Sequence, residues 1–190
     1  MKKILTITAI ALLSTLSTNL IAQSQDEMQK MMAYMTPGDM HKQLAKGEGT
    51  WNEEITMWMD PNAAPMQMTA SCETKMILNG LYQQSISTGS FSGMPFEGHF
   101  LVGYDNIKKV FQSTWVDNMG SGVIFFEGPY DEATKTITFS GKMMEPTEGK
   151  DCQVKETMQF VDDNTMLMTM YKIVDGKDVK MMEIKFTRKV

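Results

Sequence analysis

The chain has 190 residues, 42% of them hydrophobic, and a formal charge of −5 at neutral pH. That length suits one domain with a sizeable core. The acidic balance excludes the basic stripe that nucleic-acid binding needs, and basic residues cluster no more densely than in pairs such as Lys2-Lys3.

Lys2 and Lys3 precede an uncharged apolar run over 4–21, and Ala22 then stands before Gln23-Ser24-Gln25-Asp26. This is the layout of a secretory signal, with Leu20-Ile21-Ala22 as the cleavage tripeptide. The alternative is an uncleaved membrane anchor. Several Ser and Thr in the run and the fitting cleavage site favour the signal. Residues 1–22 are therefore expected to be removed on export. The mature chain, made more acidic by loss of the two lysines, is expected in the periplasm or secreted, with no stable membrane insertion. The sequence leaves the oligomeric state open.

Residues 23–47 read as a helical segment. Ser24 and Glu27 form a capping box, and Met28, Met31, Met32 and Met35 follow as one apolar stripe. Thr36-Pro37-Gly38-Asp39 stops that helix and starts a second, with Thr36 as cap and Pro37 in the first turn. Met40 and Leu44 would face a core, and Gly47 ends the helix.

From residue 48 to 190 the texture is that of strands. Runs of about ten residues are separated by turn dipeptides such as Asp60-Pro61, Asn79-Gly80, Ser92-Gly93, Asp105-Asn106 and Asp175-Gly176. Val154, Glu156, Met158 and Phe160 share one strand face, Ile137 and Phe139 another, and Met182, Ile184, Phe186 and Arg188 a third. About ten strands with short connections predict antiparallel neighbours and a sheet closed into a single up-and-down barrel. The helix after Thr36 would plug one end. Cys72 and Cys152 face an oxidising compartment and permit one disulfide, but two small buried residues is the simpler reading.

Gly49-Thr50-Trp51, at the helix-to-strand boundary, resembles the opening of the lipocalin-like (calycin) barrels. In those a late basic residue packs across the Trp, and Arg188 occupies that place. A closer resemblance, to the bacterial domain of unknown function 1579 family, rests on Asp60-Pro61 through Pro65, Gly93-Met94-Pro95-Phe96-Glu97-Gly98, Gly103-Tyr104-Asp105-Asn106, Trp115-Val116-Asp117, and Glu183-Ile184 through Arg188. That resemblance implies fold and grouping, and no activity. Family members often carry a carboxylate in the penultimate strand, where this chain has Thr169.

The constellations that carry chemistry are sparse. His41 and His99 do not make a zinc spacing, and His99 alternates out of phase with Phe100 and Tyr104, which places it outside. No nucleophile elbow or phosphate loop is present, so no catalytic residue, metal or cofactor is assigned. The 21 methionines suit either an adaptable apolar lining or a soft copper(I) site, and lining is the simpler account. Phe100, Tyr104, Trp115, Asp117 and Glu156 are the expected ligand-binding residues, with Glu53 also able to point inward. Trp51 and Arg188 are the expected structural clamp, with Arg188 paired to one of the inward acids. The function so implied is binding of a small apolar or amphipathic molecule in a barrel cavity. An enzyme using Asp117 or Glu156 with Tyr104, and a methionine-based copper handler, are the alternatives.

Overall fold

The computed structural model describes residues 25–59 and 63–189. The leader, the Ser24 cap and the Asp60-Pro61 turn lie outside them. The chain divides into two compact units, one up to Thr36 and one from Pro37 onward. In the first, helix α1 spans 25–35, with a Lys30–Asp26 ion pair of 2.6 Å across one turn. Thr36 Oγ1 donates to the Met32 carbonyl at 2.6 Å. Thr36 therefore closes the end of α1 rather than capping the next helix.

The second unit opens with α2 (Asp39–Ala45), whose N-cap is Gly38. His41 performs the capping, because its Nδ1 accepts the Gly38 N–H at 3.0 Å. This satisfies one of the donors that a helix start leaves unpaired. Leu44 is fully buried, and Met40 packs partly against the core.

Eleven strands follow among the described residues: β1 (Gly49–Met57), β2 (Met66–Ile77), β3 (Tyr82–Phe91), β4 (Met94–Asp105), β5 (Val110–Asp117), β6 (Ile124–Gly128), β7 (Tyr130–Asp131), β8 (Thr136–Glu145), β9 (Lys150–Asp162), β10 (Thr165–Val174) and β11 (Lys177–Arg188). Each long strand pairs antiparallel with its sequence neighbours. The two-residue β7 only extends one rim, so β6 joins β8 directly, through Phe126↔Gly141. β1 meets β11, with Trp51↔Arg188 through Met57↔Met182. These two joints close a ten-strand antiparallel barrel with a short helix at its start, and closure removes the exposed edges.

The pleat then sorts side chains inward and outward by parity. Leu44, Val102, Phe111, Phe126, Ile137, Phe139 and Val154 form one buried cluster. Trp51, Ile55, Cys72, Ile184 and Phe186 form a second. Both lie inside, so the parity that the last strand and β9 show in the sequence is the parity of the lumen.

Candidate functional site

The end carrying α2 is sealed, and its polar groups are paired. The Arg188 guanidinium lies over the Trp51 ring, 4.2 Å from its centroid. It donates to the carbonyls of Asp163 (2.9 Å) and Lys46 (2.7 Å) and to that of Glu48. Those three carbonyls, and not an acid, are what Arg188 holds; the expected carboxylate partner is absent from its contacts among the described residues. Trp51 Nε1 donates to the Gly47 carbonyl at 3.0 Å, and Gln83 Nε2 donates to that of Leu44. Gly49 explains the first letter of its motif. Its φ is +127°, and a Cβ there would stand 2.8 Å from Arg188 Nη1, so only glycine fits. A cleft of about 150 Å³ lies at this rim, bounded by Gln43, Lys46, Trp51, Tyr130, Phe160 and Asp163 among others. None of Phe100, Tyr104, Trp115, Asp117 or Glu156 borders it.

Above this floor the lumen has two unlike walls. On β1 to β3 Glu53, Thr74, Gln83, Ser85 and Ser87 make a polar patch of the inner face. Ser87 Oγ donates to Glu53 Oε1 at 2.8 Å. Thr74 and Ser85 hydroxyls share a hydrogen bond of 2.8 Å, and Cys72 Sγ lies 3.5 Å from Thr74 Oγ1. Burial pushes the Glu53 carboxyl and the Cys72 thiol above their ordinary ranges. Across the lumen, Cys152 on β9 is also a free thiol, so the two cysteines are not joined.

A second stretch of the inner face is thioether, and it starts at the far ends of β2 and β1. Register places Met66 beside Met57, Met57 beside Met182, Met182 beside Met170, and Met170 beside Glu156. This single cross-strand row runs from an exposed Met66, through half-buried Met57 and Met182, to Met170 at 7% and Glu156 at 5% exposure. Glu156 also faces the fully buried Phe139 on β8. Nothing charged lies near enough to help its carboxyl, and burial alone pushes it up to about 7. Among the described residues, three buried side-chain oxygens have no hydrogen-bond partner: Glu156 Oε1, Glu53 Oε2 and Ser113 Oγ on β5. All three belong to residues on the inner face.

The expected ligand residues separate into three places. Tyr104 sits at the sealed end, paired with Phe111, with its ring 5.0 Å from that of Phe111 and 6.0 Å from that of His41. His41 is buried there, which holds its imidazole below the usual range. Trp115 lies toward the other rim, opposite Phe100, so the pair Tyr104 and Trp115 is four residues out of register. Trp115 Nε1 donates to Asp117 Oδ2 at 2.7 Å, and Asp117 Oδ1 accepts the Met119 N–H at 2.9 Å. The Trp115 ring stacks on Phe96 at 6.4 Å and covers Gly98, where a Cβ would come within 2.3 Å of it. Asn118 ties the same corner to Pro95 and Glu97. The phrases Gly93 to Gly98 and Trp115 to Asp117 thus form one rim structure. Phe100 and Trp115 face inward yet remain half-buried, as does Met168 on the thioether wall. Glu156 stands apart from all of these, deep in the wall. His99 is on the outside, with Nε2 2.8 Å from Glu97 Oε1.

Glu53, Ser85, Ser87, Thr74 and Ser113 make up most of the polar lining and carry no motif. On β3 the inward residues are Gln83, Ser85 and Ser87, while Tyr82 and Ile86 take the outer positions. Reversed patterning of this kind gives no sequence signal, because alternation read alone assigns Ile86 inward. No group of His, Cys, Asp or Glu among the described residues is arranged to hold a metal ion.

The chain matches no curated protein. A family described as a protein of unknown function (DUF1579) matches residues 36–188, which takes in α2 and the whole barrel. The motifs at the sealed end and at the Trp115 rim all fall in that span, and the chain belongs to the DUF1579 family.

Proposed function

We propose that the barrel carries a small, mainly apolar ligand in its lumen, and that it does so outside the cytoplasm. The observation that carries this reading is the set of inward oxygens without partners, Glu156 Oε1, Glu53 Oε2 and Ser113 Oγ, in a lumen whose other walls combine Met and aromatic side chains with hydrogen-bonded hydroxyls. A buried polar atom left unpaired costs free energy, and native proteins keep few of them. A barrel that only needed filling would place apolar groups there. Mixed walls with a few polar anchors are what small-molecule sites use. Methionine gives such a wall freedom to fit variable shapes. Export rests on the charged start, apolar run and Ala22 of residues 1–22, and N-terminal sequencing of the exported protein should begin at Gln23.

Native mass spectrometry of the protein purified from its own host tests the binding reading. A mass excess that disappears in denaturing solvent is expected, and it identifies the ligand. A protein that carries no excess and takes up no apolar probe overturns the reading.

A second reading has one observation in its favour. The Met66–Met57–Met182–Met170 row gathers soft sulfurs as a copper(I) carrier would. Anaerobic copper(I) titration with competition from a chelator decides it. An enzyme built on Asp117 with Tyr104 has less support, since Asp117 already anchors Trp115 and the Met119 turn.

A further inference from the structure

The ionisable groups on the inner face that keep an atom without a partner are both acids. Glu53 and Glu156 are inward, 3% and 5% exposed, and each keeps an oxygen without a partner. At the sealed end Arg188 is consumed by three carbonyls and the Trp51 ring. On the same face of β10 as Met170, Lys172 is taken up by Glu145 at 3.2 Å. Between those two points, alternation puts no basic side chain on the inner face among the described residues. An anionic headgroup would therefore lose its hydration there with no free cation to pair it.

The thioether row supplies direction. It runs through directly paired positions from the exposed Met66 to the buried Glu156. A chain laid along it would bring its leading group against Glu156 Oε1. Glu156 lacks any partner that could hold its negative charge, so burial keeps the acid protonated more readily than in water. A cation arriving there would supply the missing counter-charge.

We propose, resting on the ligand-carrier reading above, that the barrel selects positively charged amphiphiles, with a protonated amine against Glu156 and an apolar tail along Met170, Met182, Met57 and Met66. The lumen rejects fatty-acid anions of the same length. Glu53 offers a second carboxyl able to pair a cation, and the acidic balance of the whole chain draws cations toward the protein.

Calorimetry with decylamine, decanol and decanoate on the mature protein tests this, since the three share a tail and differ in head. The amine should bind at least about tenfold more tightly than the alcohol, and the anion weakest, as a charge pair out of water requires. Glu156→Gln keeps the shape of the side chain and should bring the amine down to the level of the alcohol, leaving the alcohol unchanged. Glu53→Gln should weaken the amine by a smaller factor, and it serves if the first variant does not fold. Binding of decanol or decanoate as tight as the amine overturns the charge selection and leaves the apolar carrier standing. Failure of all three to bind overturns the carrier reading and this inference with it. An amine preference that survives both substitutions shows that the head lies elsewhere and also overturns it.

Discussion

The two ends of the barrel treat their polar groups in opposite ways. At the sealed end every side chain that crosses the floor spends its donors: Arg188 on three carbonyls, Trp51 on Gly47, Gln83 on Leu44. In the lumen above, Glu156, Glu53 and Ser113 are held on strands and each keeps a side-chain oxygen without a partner. Both regions are buried, so burial does not distinguish them; satisfaction does. A saturated network fixes a structure and has no capacity left for a guest. An unsaturated one costs stability in the free protein, which is what a site awaiting a partner looks like.

That contrast can be broken by mutation, and Trp51→Ala should do most damage. Trp51 is 1% exposed, and removing a large buried aromatic costs roughly 3–5 kcal/mol. Denaturant unfolding measures it. A loss under about 1 kcal/mol would mean that the sealed end does not hold the barrel together.

Glu156 should act in the other direction, and through pH. Its carboxyl is raised from 4.5 to about 7, so the folded state binds a proton more readily than the unfolded chain. The contribution is fully present below about pH 4.5 and is lost as pH rises through about 7. Between pH 5 and pH 8 the loss should be on the order of 3 kcal/mol. His41, held low, works in the opposite sense and loses stability as pH falls below 6.5. Comparison of wild type with Glu156→Gln across that range isolates the acid, because the variant keeps His41. A difference between them that does not change with pH would show that Glu156 is not buried as an acid.

Arg188→Ala sharpens the comparison from the sealed side. It removes charge-assisted hydrogen bonds to three carbonyls and the ring contact, without stranding a carboxylate. The expected loss is about 2 kcal/mol, less than for Trp51. Trp115→Ala should cost less again, about 1–2 kcal/mol, because the ring is half-buried and leaves little closed cavity. If it costs as much as Trp51→Ala, the rim is core and not a mouth. Met57→Leu and Met182→Leu keep volume and should each cost under about 1 kcal/mol, while narrowing the range of tails accepted in calorimetry.

Much of the fold was legible in the sequence. Val154, Glu156, Met158 and Phe160 alternate on β9, and turn dipeptides mark most of the hairpins. Gly49, Trp51 and Arg188 indicated which ends meet. A threonine before proline fits two roles, and Thr36 takes the one at the end of α1. The choice went to Met32 and to His41, whose reach to Gly38 depends on backbone shape. The site was harder to read for a physical reason. Tyr104 and Trp115 sit on neighbouring strands with the same parity, yet Tyr104 faces Phe111 and Trp115 faces Phe100. Separation along a hairpin is set by register, which parity cannot give. The methionine row joins four strands, and its two halves meet only because the barrel closes between β1 and β11. No local pattern contains that.

The seam between β1 and β11 has a kinetic consequence. Most ladders here join strands adjacent in sequence and can form as hairpins in passing. The contact of Arg188 with Glu48 spans 140 residues, and the pairing of Lys189 N–H with the Thr50 carbonyl belongs to the same late joint. Loop-closure entropy places such contacts after the local ones. Until it closes, β1 and β11 each present an unpaired edge, and the chain is an open curled sheet able to add strands from a second molecule. The indole of Trp51, stacked under Arg188 only once the seam is shut, makes its fluorescence a clock for that final step.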